Sequence, residues 1–268
     1  MEKYKLTFSA AGNTHIGAGR SNNEDNLQIG SYYKKNCKKN NDSFVLENTA
    51  ACRYVLFSVF DGMGGGEAGE YASLYAAEEF FSAHMKLSNS MLPEETVCII
   101  KNAFQSANNR IIRSPFEILG TTGVSCILDR KCAMIKFLWA GDSRGYLFRN
   151  NRLLQITQDQ SVAASSIKQG LYIKSDPQYI YDQNRLTGYI GQDAYGYNFK
   201  PLESSWIKIA VNDRIILLTD GIYTSLEECE LQALLTRENT NTCEFLINAA
   251  LSQNTQDDMS VVQVGIFK

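Results

Sequence analysis

An α+β sandwich, with antiparallel sheets inside and helices kept to the outside, follows from the order of patterns along this 268-residue chain. Three observations carry it. Apolar runs of strand length, at 55–60 and 215–218, stop abruptly at an aspartate or at Thr-Asp, with glycine next. Stretches of helical periodicity come in pairs, one pair after the first run and one before the last strand. The strands in the middle are joined by connections too short for a parallel crossover. The order is strands, paired helices, meandering strands, paired helices, strand, which does not suit a repeating βαβ unit.

Residues 5–9 and 25–30 alternate weakly and are expected as strands. Between them lies a polar connection, Gly17-Ala-Gly-Arg20-Ser-Asn-Asn-Glu24-Asp25-Asn26. Residues 31–50 read as an irregular hairpin extension, and their basic run from Lys34 to Lys39 reads as a solvated loop. The strand at 53–60 ends at Asp61-Gly62, where the missing Cβ lets the backbone approach whatever Asp61 holds. Ala68, Ala72, Ala76, Phe80 and Ala83 then recur at helical spacing, and Val97, Ile100, Phe104, Ala107 and Ile111 do so behind Pro93-Glu-Glu. Three strands are expected at 122–128, 132–140 and 145–149, with 129–131 and 142–144 as hairpin connections. Residues 159–170 read as helical. Residues 171–204, rich in Tyr, Gln, Asp, Gly and Asn without a clear period, are expected to form a mobile flap. Strands at 206–211 and 214–219 flank the turn Asn212-Asp213; helices near 227–236 and 242–252 and a strand at 260–267 complete a single domain spanning 1–268.

The bulk numbers exclude several classes. A net charge of −3 argues against a general nucleic-acid binder. No run of about 18 apolar residues suggests a membrane span, and the N-terminal stretch lacks the apolar core of a signal peptide, so a cytoplasmic monomer is expected. The seven cysteines are odd in number and none are spaced C-x-x-C, which argues against a disulfide framework or zinc knuckle. None has an arginine six positions on, so a cysteine-phosphatase loop is absent.

The chemistry lies in acids at the ends of strands: Glu24 and Asp25, Asp61, Asp142, Asp220, and Asp257 with Asp258, the last taken as an exposed neighbour. The only histidines are His15 and His84. Oxygen donors without imidazole or thiolate suit a hard cation such as Mg²⁺ or Mn²⁺. Bound divalent ions would remove the mutual repulsion of gathered carboxylates. Two ions about 4 Å apart can hold a water, lower its pKa and aim it at phosphorus. Arg20, four residues before Glu24, has the planar fork that grips phosphate oxygens.

Six segments in order, Arg20-Ser-Asn-Asn-Glu-Asp25, Val59-Phe-Asp-Gly-Met-Gly-Gly65, Gly120-Thr-Thr122, Ala140-Gly-Asp-Ser-Arg144, Leu218-Thr-Asp-Gly-Ile222 and Asp257-Asp-Met-Ser-Val-Val262, resemble the metal-dependent (PPM or PP2C-like) serine/threonine protein phosphatases of bacterial type. The resemblance implies a four-layer αββα sandwich, two antiparallel β-sheets flanked by pairs of helices. It implies that Asp61 bridges two Mg²⁺ or Mn²⁺ ions, that the Gly62 carbonyl binds one of them, and that Asp220 and Asp257 complete that ion's shell. Glu24 would serve the second ion, Asp25 would hold coordinated water, Asp142 would help bind a weaker third ion, and Arg20 would bind phosphate. The implied activity is hydrolysis of phosphoserine and phosphothreonine in proteins by direct attack of water, without a phosphoenzyme. The partners implied are phosphorylated proteins, among them a serine/threonine kinase or its substrates.

Three departures stand out. Met63 follows Asp61-Gly62 where some members carry a histidine general acid. Gln160 stands where the family often has histidine, and Asp258 where asparagine is commoner. Two rival readings are weaker. Gly64-Gly-Gly66-Glu-Ala-Gly69 satisfies a dinucleotide fingerprint formally, but two helices follow and no strand is expected before 122. A catalytically weak phosphoprotein-binding regulator with the same fold would be marked by lost metal acids, and none is lost.

Overall fold

Seven consecutive residues of β5 (Tyr54–Phe60) are buried because the strand is covered on both faces. Side chains alternate across a strand. Val55, Phe57 and Val59 therefore enter an apolar layer between two sheets, while Tyr54, Leu56 and Phe60 meet helices on the other side. The computed structural model describes residues 6–47, 52–64, 68–116, 119–192, 199–237 and 241–268. Within them it forms the four-layer αββα sandwich, and every strand pair is antiparallel.

One sheet runs, edge to edge, β11 (Arg152–Gln155), β10 (Arg144–Arg149), β14 (Arg214–Leu218), β15 (Met259–Phe267), β1 (Thr7–His15) and β4 (Asp42–Glu47). The other runs β12 (Leu202–Glu203), β9 (Met134–Ala140), β8 (Gly123–Asp129), β5, β2 (Asn26–Ile29) and β3 (Tyr32–Tyr33), with β13 (Ile207–Lys208) also paired to β9. A two-stranded ribbon, β6 (Gly62–Gly64) with β7 (Leu119–Thr121), extends beyond β5.

Helices α1 (Gly69–Lys86) and α2 (Pro93–Ile112) cover the β5 sheet with the apolar faces expected from their spacing. Phe80 packs edge-on against Phe104 at 4.8 Å and against Phe60 at 5.0 Å, fixing both helices to that sheet. The short α3 (Val162–Lys168), capped by Ser161 Oγ, and α4 (Pro177–Asp182) lie in the connection that follows β11. A single turn, α5 (Asp220–Tyr223), then α6 (Glu228–Thr236) and α7 (Thr242–Ser252) cover the other sheet. Leu231, Leu246 and Ile247 there meet Ile216, Leu218 and Val261.

Several local expectations change. The turn at 141–143 is not a hairpin: β9 and β10 belong to different sheets, and Gly141, at φ +103°, carries the chain across. The described part of the segment 31–50, residues 31–47, is not a hairpin extension either, since β3 edges one sheet and β4 the other; 48–50 lie outside the described set. Nor is its basic run wholly solvated: Lys34 is fully buried, while Lys35, Lys38 and Lys39 are exposed. Apolar periodicity could not reveal a lysine whose burial is made possible by partners elsewhere in the chain. The region 171–204 contains α4 and β12, and residues 193–198 of it lie outside the described set. No helix among the described residues is long and apolar enough to cross a membrane.

Candidate metal and phosphate site

Register brings the acid-bearing segments to one end of both sheets. Phe60, at the end of β5, pairs with Asn26 at the start of β2. Val59 pairs with Val124, and Gly123 pairs with Ala140 at the end of β9. In the other sheet Leu218, at the end of β14, faces Arg144 on one side and Val261 of β15 on the other. Asp61, Glu24-Asp25, Asp142, Asp220 and Asp257 occupy the connections at these ends.

Hydrogen bonds join the two sheets there. Thr219 Oγ1 donates to Asp25 Oδ2 at 2.7 Å and accepts from Ser260 N at 2.8 Å. Thr122 N and Thr121 Oγ1 donate to the Asp61 carbonyl at 2.9 and 2.8 Å, and Thr122 Oγ1 lies 2.6 Å from Ser143 Oγ beside Asp142. A Cβ on Gly62 would stand 2.2 Å from Gly69 O and 2.5 Å from Glu24 O, so only glycine allows this approach of β6 to the Glu24 segment.

Asp25 is fully buried, and Glu24, Asp61, Asp142, Asp220 and Asp257 are half-buried around it. Burial first, then the charge of Asp220, then that of Asp25, pushes Asp61 well above the usual carboxylate range. Burial and then Asp258 do the same to Asp25. Asp220 is pushed up to about 6 by burial and by Asp257, and Asp142 to about 7 by burial and by Asp220. Glu24 is also raised, chiefly by burial, with Arg20 opposing. Asp25 Oδ1 and Asp220 Oδ1 are buried without a hydrogen-bond partner. Groups of this kind are costly unless something positive satisfies them.

Arg20 sits at the rim, 41% exposed in its side chain. Its guanidinium is hydrogen-bonded to Asp257 Oδ1 and lies 3.7 Å from Glu24 Oε2. The Asp142 loop has its own brace. Arg144 forks onto both oxygens of Asp159, at 3.0 Å and 2.7 Å, and lies 3.7 Å from the centre of the Tyr223 ring. Tyr223 Oη in turn donates to the Asp142 carbonyl at 3.1 Å. Gln160 accepts from Gly141 N at 2.9 Å through its side chain, and its carbonyl accepts from Thr187 N at 2.8 Å. Ile190 and Thr121 exchange two backbone bonds, so residues 187–190 are tied to the segment holding Asp61. Beside that tie a cleft of about 820 Å³ opens between Met63, Ile112, Phe116, Leu186 and Tyr189.

The donor set suits a hard divalent cation. It is made of oxygens, two of them buried and unpartnered, and burial together with neighbouring carboxylate charge raises the pKa values of Asp61 and Asp220. Among the described residues no three His, Cys, Asp or Glu side chains already form a closed metal cage. Mg²⁺ does not require one, because it keeps several waters and takes one or two carboxylates.

Asp258 corrects an expectation. It is 3% exposed rather than an exposed neighbour, and its two oxygens accept from Gly17 N at 2.9 Å and Glu24 N at 2.8 Å. Sequence reasoning also passed over Thr219 and Tyr223; adjacency to Asp220 within one motif was the available signal.

Residues 21–166 match the sequence model of the family described as Protein phosphatase 2C. The serine/threonine phosphatase stp of Listeria welshimeri is 27% identical over 213 residues, 77% of this chain and 82% of that protein. The serine/threonine protein phosphatase PstP of Mycobacterium tuberculosis is 25% identical over 268 residues, 98% of this chain and 46% of that protein. The solved structure of the S. agalactiae serine/threonine phosphatase superposes with a TM-score of 0.77 at 25% identity, over 97% of this chain and 99% of that one. The catalytic domain of PstP, solved with two manganese ions, has the same fold at TM-score 0.76 and 21% identity, over 98% of this chain and all of that one. The chain belongs to the protein phosphatase 2C family.

Proposed function

We propose that this metal-dependent serine/threonine protein phosphatase cleaves phosphoserine and phosphothreonine monoesters at the carboxylate cluster, with Mg²⁺ or Mn²⁺ as cofactor. The observation that carries the reading is the cluster itself: burial and then the charges of Asp220, Asp25, Asp257 and Asp142 push Asp61 up, burial and then Asp220 do the same to Asp142, and one oxygen each of Asp25 and Asp220 is buried without a partner. In this reading Asp61, the Gly62 carbonyl, Asp220 and Asp257 would hold one ion. Asp61, Glu24 and water held by Asp25 would hold a second, and Asp142 would contribute to a weaker third. Bound there, the ions supply Lewis-acid chemistry, lowering the pKa of water toward neutrality and offsetting phosphate charge.

The side chains do the rest. Arg20, half-exposed at the rim, exchanges its carboxylate partners for the phosphate oxygens and orients the ester. Asp25, fully buried and held by Thr219, keeps a proton acceptor directed into the site. Met63 offers no proton, so the leaving alkoxide takes its proton from solvent. The proposed site residues include no cysteine or histidine, and the family resemblance implies that water attacks phosphorus directly and that no phosphoenzyme forms.

Substrate choice is assigned to the flap of residues 171–204, with the neighbouring cleft taking residues beside the phosphorylated one. The ties at Thr187 and Ile190 support this, because they link the flap to Gln160 beside the Asp142 loop and to Thr121 beside Asp61. The expected setting is a monomer in the cytoplasm, acting on phosphorylated proteins that include a kinase or its substrates. The test is Mn²⁺-dependent hydrolysis of an aryl phosphate and of phosphoserine and phosphothreonine peptides. Turnover is expected for wild type and a loss of at least about a hundredfold for Asp61→Ala and Asp220→Ala. Equal turnover in the variants overturns the site assignment; binding of phosphopeptides without turnover by wild type favours a regulator.

A further inference from the structure

Behind the acid cluster one peptide group is held by opposite charges. Lys34 Nζ, on a fully buried side chain, donates to the Asn23 carbonyl at 3.0 Å. The N–H of the same peptide unit, Glu24 N, donates to Asp258 Oδ2 at 2.8 Å. The cation thus faces the negative end of the peptide dipole and the anion the positive end, giving two charge-assisted bonds. Asp258 Oδ1 is occupied by Gly17 N. An asparagine at 258 could accept only one of these N–H groups through its oxygen and would turn its own NH₂ on the other. Lys34 is itself fixed, its N–H donating to Asn26 Oδ1 at 3.2 Å and its carbonyl accepting from Asn26 Nδ2 at 3.0 Å. Asn23 completes the clasp, accepting from Asp25 N at 2.9 Å and donating to Thr14 Oγ1 and the Asn40 carbonyl.

We propose that Lys34 and Asp258 are paired positioning residues, which clamp the Asn23–Glu24 peptide and so aim the Glu24 and Asp25 carboxylates into the site. The two charges also require each other. Asp258 adds a buried negative charge beside Asp25, and a buried charge left uncompensated is strongly destabilising. Lys34 supplies the compensation: burial pushes its ammonium pKa down, and the carboxylates that oppose this most are Asp25 and Asp258. Neither residue touches substrate. The inference rests on the reading of Glu24 and Asp25 as metal-side carboxylates.

Two measurements on the full chain test it. Amide hydrogen exchange of metal-free protein should show Glu24 and Gly17 protected in wild type, with Glu24 exchanging at least about tenfold faster in Asp258→Asn. Mn²⁺ titration calorimetry on wild type, Lys34→Met, Asp258→Asn and the double variant should show coupling. The loss of affinity caused by Asp258→Asn should shrink about threefold or more once Lys34 is Met. Unchanged Glu24 exchange, or losses that simply multiply, overturns the proposal. If Lys34→Met does not fold, the double variant decides: recovery of folding supports the pairing and continued failure overturns it. Absence of Mn²⁺ uptake by wild type would instead count against the metal reading, while the exchange data still judge the clamp.

Discussion

Replacing Asp220 by asparagine should make the metal-free protein more stable, not less. Asp220 is pushed from 3.8 up to about 6 by burial and by Asp257, with one carboxylate oxygen buried and unpartnered. Folding therefore favours its protonated form. That contribution is full below 3.8 and is lost as pH rises through about 6. At about 1.4 kcal/mol per pH unit, ionised Asp220 costs the fold about 3 kcal/mol at pH 8 and about half that at pH 5. Half-buried His84, pushed down to about 4 by desolvation, titrates with the opposite sign, but it is common to both proteins and cancels in the comparison. Urea unfolding in chelator at pH 8 should show Asp220→Asn ahead by up to about 3 kcal/mol, the gap narrowing toward pH 4. Added Mn²⁺ should close the gap at about a hundred times its Kd, where it stabilises wild type by about 2.7 kcal/mol, and reverse the ranking at about a thousand times, where it contributes about 4.1 kcal/mol. A variant no more stable than wild type in chelator at pH 8, or a gap that does not narrow with acid, refutes the idea that these acids are held against their own repulsion.

Gly62→Ala should lower kcat at least about tenfold and cost about 1–3 kcal/mol, because the new methyl meets the backbone of Gly69 and Glu24, neither of which can rotate away; steady-state kinetics and thermal melting read both. Arg53→Met should separate stability from activity. Arg53 forks onto buried Asp129 at 3.0 and 2.8 Å, and its loss should cost about 3–5 kcal/mol in urea unfolding with kcat unchanged. Gln160→Ala leaves Gly141 N–H without its side-chain acceptor; a loss of about 1 kcal/mol and a weaker Mn²⁺ dependence at the Asp142 loop should appear in melts and metal titrations.

The helices and the interior strands were legible because burial imposes a period. Phe80, Phe104 and Ile111 at helical spacing, and the unbroken run of β5, need no partner to be recognised. What stayed hidden depends on partners. Nothing in Asp142-Ser-Arg144 says that β10 pairs with β14 rather than β9, because a short connection serves a hairpin and a step between sheets equally. Lys34 and Asp258 look like surface residues until the other is placed, since each is buried only because backbone groups and an opposite charge await it. Asp61 and Asp220 were readable as candidates because an aspartate closing an apolar run is conspicuous; their shared surroundings became visible only with the strand register.

The placement of β15 has a bearing on how this molecule is made. It is the last strand in chain order, yet it lies between β14 and β1. During synthesis β1 meets its neighbour β4 early, but its other edge stays unpaired until residues 259–267 have followed. A product cut short before 259 lacks the strand between β14 and β1 and is expected to be cleared by proteolysis rather than persist as a weakened enzyme.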